Sequence, residues 1–207
     1  MNFIGLGLWE DEELRIHECL KVAIKELIQK GVVKAEDNER KVCALLRPVI
    51  VKYSKQLELD WTFHSEANIF KKLTDPEPYA RTDFQFSRRD QDWTQFDYHV
   101  ECKLVRVKRK GSTHDYCSYY VEQGILDRYY YLKYCSDLVS GTMIGFLQEG
   151  KPNDLLSAIN DEVQKAGLQT IAPPKNWIKK DISLLEHSFV RHNKLSFHLW
   201  HIWADFR

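Results

Sequence analysis

The chain has 207 residues, 43% of them apolar and 13% aromatic, which is enough to bury a core and too apolar for a disordered chain. Lysine plus arginine and aspartate plus glutamate number 30 each, so no global basic field advertises nucleic acid, and any pull on phosphate must come from a local patch. The five cysteines (Cys19, Cys43, Cys102, Cys117 and Cys135) include no Cys-x-x-Cys pair, which argues against a disulfide frame or structural zinc and for a reducing, cytoplasmic setting. The first residues lack the basic start of a signal peptide, and no run of about 18 uncharged apolar residues is present, so no membrane association is expected.

Residues 11–30 place Ile16, Leu20, Ala23, Ile24 and Leu27 at helical spacing, with acidic residues crowding the start and Gly31 past the end. A second helical pattern covers 37–55, with Pro48 expected to kink or divide it. Strict alternation of Leu57, Leu59, Trp61 and Phe63 with polar residues predicts a half-buried strand. Residues 66–78 read as a helical turn ended by Pro76 and Pro78, and a strand then begins around Asp83. Residues 98–104 read as another strand, 116–135 as a tyrosine-rich helix and 138–148 as a buried strand. Residues 153–166 follow as a helix buried through Leu155, Leu156, Ile159 and Val163. Residues 168–194 are mixed, and 195–203 form an aromatic strand. This order predicts an α/β fold, one mixed sheet with helices on its faces. Residues 1–36 read as an N-terminal helical extension and 37–207 as one compact unit.

The stretch Tyr98-His-Val-Glu-Cys-Lys-Leu104 carries the chemistry. In a strand Tyr98, Val100, Cys102 and Leu104 face one side, and His99, Glu101 and Lys103 the other. Three Glu-x-Lys tripeptides occur, beginning at Glu39, Glu101 and Glu149, but only Glu101-x-Lys103 lies on a convincing strand preceded by a strand carrying an aspartate, Asp83. Two carboxylates on adjacent covered strands repel unless a cation bridges them or one is protonated. The plainer reading is a solvated edge strand on which Glu101 and Lys103 form a weak pair. A local basic patch follows at Arg106, Lys108, Arg109 and Lys110, suited to nucleic acid or simply to a solvated hairpin.

Arg-Thr-Asp83-Phe-Gln-Phe, Val-Glu101-Cys-Lys103-Leu and the helix through Gln123 together resemble the PD-(D/E)xK nuclease superfamily, the restriction-endonuclease-like fold, over roughly residues 37–148. Thr82 stands where that pattern has proline. The resemblance implies an αβββαβ core. It also implies that Asp83 and Glu101 bind Mg²⁺, with Mn²⁺ able to substitute, that Lys103 positions the attacking water, and that Gln123 assists from the helix. A glutamate from an earlier helix often joins such sites, and either Glu39 or Glu66 fits, Glu39 better by its order in the chain. The implied activity is metal-dependent hydrolysis of DNA, by analogy in bacterial restriction or phage defence, by a homodimer or beside an ATPase or helicase partner. The alternative is a catalytically silent nuclease-fold subunit that binds nucleic acid or scaffolds a complex.

The remaining motifs weigh less. His198 and His201, three apart on a strand, would face opposite sides, a poor geometry for one metal, and His187 and His192 lie in an uncertain segment. His99 shares the face of Glu101 and reads equally as a site-lining or a structural residue. No glycine-rich phosphate loop is present, so ATP or GTP hydrolysis is not expected.

Overall fold

The computed structural model of the protein describes residues 6–69, 80–89, 95–109, 112–135 and 138–207. Two helices come first, α1 (Leu6–Lys30) and α2 (Glu39–Gln56). Asn38 starts α2: its side-chain oxygen accepts the Lys41 amide at 2.8 Å, satisfying a backbone donor that the first turn leaves unpaired. Pro48 lies inside α2 without dividing it. The strands β1 (Thr62–Ser65), β2 (Asn68–Ile69), β3 (Ala80–Arg81), β4 (Phe84–Arg89), β5 (Gln95–Arg109) and β6 (Ser112–Asp115) follow. A short α3 (Cys117–Tyr119) runs straight into a π-helix (Tyr120–Tyr130), then come β7 (Ser140–Leu147), α4 (Pro152–Lys165), β8 (Ile182–Val190) and β9 (Ser196–Asp205).

Seven strands make one open sheet in the order β1-β4-β5-β7-β9-β8, with β6 folded back on the end of β5. β1, β4 and β5 form an antiparallel meander, β7 and β9 continue it in parallel, and β8 closes the far edge antiparallel. The chain is therefore α/β with a mixed sheet, as its pattern predicts. One apolar cluster lies beneath α1 and α2 and takes Val100, Cys102 and Leu104 from β5. A second lies beneath the π-helix and α4, and takes Val105, Met143, Leu199 and Trp203 from the strands.

α1, read from the sequence as an extension, buries Ile16, Leu20, Ala23 and Ile24 in the same core as α2. It is also tied down by polar groups. Tyr98 donates to Glu13 Oε1 at 2.7 Å, and His17 Nε2 lies 2.8 Å from Thr142 Oγ1 beneath the helix. Burial pushes the Glu13 carboxyl above its ordinary value and the His17 imidazole down to about 3.

Three local expectations change. The first strand occupies only 62–65, because α2 continues to Gln56; Leu57 closes the helix by donating to Tyr53 O, and Leu59 donates back to Ser54 O. Residues 70–79 lie outside the described residues, while Asn68 and Ile69 are extended and pair with Arg81 and Ala80. The mixed segment contains a nine-residue strand, β8, whose Leu185, His187 and Phe189 are buried between exposed Glu186, Ser188 and Val190.

Candidate metal-dependent site

The site forms where β4 parts from β5. Phe84 pairs with Val100, and Asp83 stands in a bend just before β4, alongside Glu101. With β4 gone, amide groups of β5 need other acceptors. Asp83 Oδ2 takes the Cys102 N–H at 2.8 Å, and Glu39 Oε2, from the first turn of α2, takes the Leu104 N–H at 3.2 Å. Two carboxylates are thus held at the opening by the backbone of β5.

Between them runs the Glu101–Lys103 pair. Glu101 is 2% exposed and Lys103 9%. The Lys103 ammonium lies 2.6 Å from Glu101 Oε1 and 3.5 Å from Glu39 Oε1, and donates to Cys102 O at 3.1 Å. The alternation expected of β5 holds, with Cys102 and Leu104 in the core under α1 and α2. Glu101 meets the other face: Arg128 Nε, on the π-helix, lies 3.4 Å from its Oε1, and the Tyr134 hydroxyl donates to its Oε2 at 2.7 Å. Tyr129 bridges the strands below, donating to Thr142 O at 2.5 Å. At Gly124 the π-helix packs against the flexible end of Met143: a Cβ there would sit 2.3 Å from Met143 Cε and 3.7 Å from Lys103 Cγ.

The electrostatics follow from burial and crowding. Burial, then the charge of Glu101, push the Asp83 carboxyl from its ordinary 3.8 up to about 7, and the Lys103 ammonium and the Cys102 amide do not undo this. Burial raises Glu39 as well. For Lys103 burial works against the ammonium, but Glu101, Glu39 and Asp83 outweigh it and hold the pKa above its ordinary value. Negative charge therefore exceeds what the two cations compensate.

Of the residues singled out in the sequence, Asp83, Glu101, Lys103 and Glu39 come together. Glu66 does not join them; it pairs with Arg47 and Arg81. Gln123 lies on the π-helix with its side chain exposed, and the group that this helix extends to Glu101 is Arg128 instead. Arg106 is engaged by Asp115 across the β5–β6 hairpin; Lys108 and Arg109 end β5 opposite Thr113 and Ser112, and Lys110 lies outside the described residues. His99 stacks on Tyr134 at 5.1 Å and accepts the Cys135 amide at 3.1 Å, and burial pushes it down to about 4. His198 and His201 face opposite sides, toward Trp200 and Tyr120 respectively. Among the described residues, the one trio of ligand atoms lying within 4.8 Å of one another is not a set of carboxylates but Cys43, Asp83 and Cys102. Arg128 is not singled out by the sequence, and Tyr134, whose tyrosine-rich segment suits base stacking or core packing, instead reaches Glu101. No protein-family model, curated protein or solved structure matches the chain.

Proposed function

We propose that the protein is a metal-dependent nuclease of the PD-(D/E)xK type, hydrolysing phosphodiester bonds of DNA. The observation that carries this reading is the convergence of Asp83, Glu101, Lys103 and Glu39 where β4 leaves β5, with Asp83 raised to about 7 beside a lysine. Carboxyls shifted by burial and a specific charged partner cluster at functional sites. The order of helix α2, strands β1, β4 and β5, the π-helix and β7 supports the αβββαβ core that the resemblance implies.

The donor set suits a hard divalent cation. Three carboxylates outnumber Lys103 and Arg128, and Mg²⁺ is typically held by one or two carboxylates, with water and substrate completing its shell. Asp83 and Glu101 would hold it, with Glu39 nearby. When bound, Mg²⁺ supplies positive charge against the phosphate oxygens. The chain does the rest: Lys103 keeps its proton and offers a fixed ammonium beside Glu101, and Arg128 adds a guanidinium suited to a phosphate oxygen.

One observation favours the silent, scaffolding alternative. Both oxygens of Glu101 already have partners in Lys103, Arg128 and Tyr134, so this carboxylate is satisfied without a metal. A single experiment separates the two. Plasmid, single-stranded DNA and RNA are incubated with Mg²⁺, Mn²⁺ or EDTA, using wild type, Glu101→Gln and Lys103→Ala. Cleavage of DNA that needs metal and disappears in both variants supports the nuclease; cleavage that survives Glu101→Gln overturns it. DNA binding without cleavage supports the scaffold.

A further inference from the structure

Cys43 and Cys102 meet where α2 crosses β5, and Asp83 closes on both. One ligand atom of each lies within 4.8 Å of the other two. The three come from different elements: the first turns of α2, the bend before β4 and the middle of β5. Cys102 is fully buried and Cys43 half-buried. The backbone hydrogen bond that anchors Asp83 to Cys102 also sets its carboxylate against both cysteine sulfurs. The Cys43 and Cys102 thiols hydrogen-bond each other, and as thiolates both become ligands for a sulfur-seeking cation. The Cys102 amide engages Oδ2 of Asp83, and among the described residues no hydrogen bond engages the carboxylate's other oxygen.

We propose that Cys43, Cys102 and Asp83 form a binding site for a thiophilic divalent cation of the Zn²⁺ class. A tetrahedral ion with bonds of about 2.3 Å to sulfur and about 2.1 Å to oxygen sets its ligand atoms roughly 3.5–3.8 Å apart. The observed spacing reaches this with side-chain movements of about an ångström. Three protein ligands leave a fourth position for water. Glu39, one helical turn before Cys43, lies on the same face of α2. Binding exchanges each S–H for a metal–sulfur bond, releasing one proton per cysteine, with no electron transferred. The donors here are sulfur-rich, whereas Glu101 and Glu39 offer oxygen alone, so the two arrangements prefer different ions and compete for the shared Asp83. The inference rests on these three residues and not on the nuclease reading.

The test is a titration of the reduced, full-length chain with Co²⁺, followed by absorption spectroscopy. One equivalent should produce a thiolate-to-cobalt charge-transfer band that Zn²⁺ displaces. Cys43→Ser should lower the affinity at least tenfold and remove about half of the band, the share of one of two thiolates. Cys43→Ala gives the same readout should serine disturb folding, which far-UV circular dichroism checks. Asp83→Asn should keep the band and weaken binding, and Cys117→Ser should change nothing. Above about pH 7, where Asp83 is already ionised, apparent affinity should rise about a hundredfold per pH unit while both thiols remain protonated, since two protons leave. The absence of a charge-transfer band in wild type, or a band that Cys43→Ser and Cys43→Ala leave intact, overturns the proposal.

Discussion

Replacing Asp83 with Asn separates a carboxylate held for its charge from one held for its hydrogen bond. Asparagine is nearly isosteric, and its carbonyl oxygen can still accept the Cys102 amide that Asp83 Oδ2 now takes at 2.8 Å. What it lacks is the buried charge beside Glu101. The folded carboxyl titrates at about 7, against an ordinary 3.8. Between those values the folded state keeps a proton that the unfolded chain has lost, so stability falls as pH rises through this window and levels off above it. About three pH units at about 1.4 kcal/mol each make this ~4 kcal/mol. Asp83→Asn should therefore match wild type within ~1 kcal/mol near pH 4, and exceed it by ~2–4 kcal/mol near pH 8. Urea unfolding at pH 4, 6 and 8, in EDTA, measures the difference. Repeating it with Mg²⁺ adds a second readout: the cation should stabilise wild type at pH 8 and leave Asp83→Asn unmoved. A variant destabilised equally at every pH would show that Asp83 serves only to cap β5, and the argument from its charge would fail.

Three further outcomes are expected. Lys103→Met leaves the buried Glu101 with Arg128 and Tyr134 alone, and should cost ~3 kcal/mol in urea unfolding at neutral pH. Tyr134→Phe removes the hydroxyl shared by Glu101 Oε2 and Arg81 O, and should cost ~1–2 kcal/mol, read as a lower melting temperature. The two glycine-to-alanine changes should differ: at Gly145 a Cβ meets the indole of Trp203 at 2.7 Å, a rigid group, for ~2–3 kcal/mol, whereas at Gly124 it meets the flexible end of Met143 at 2.3 Å, for ~1 kcal/mol. Equal losses at the two positions would contradict the argument from side-chain stiffness.

The half of the site written on one strand was legible in the sequence, because strand alternation is a local rule. It placed Cys102 and Leu104 in the core under α1 and α2, and Glu101 and Lys103 on the other face. Glu39 was reachable too, through its place on the helix before the first strand. Arg128 and Tyr134 were not, because their contacts with Glu101 depend on how the π-helix lies across β5 and β7, and no local pattern encodes that crossing. The first strand was read too long because Leu57 and Leu59 continue the alternation of Phe63, yet they sit in the turn that closes α2. β8 went unread although its alternation from Leu185 to Val190 is regular; the polar, proline-containing residues before it blurred its start.

The strand order carries a consequence for the order of assembly. β9 lies between β7 and β8 in the sheet, yet follows β8 in the chain. β8 joins the sheet only through β9, so the burial of Ile182, Leu185 and Phe189 waits on Ser196–Asp205 settling along β7. A chain cut before Ser196 would lose two strands rather than one, and expose β7, whose eight residues are all buried, as a new sheet edge open to self-association.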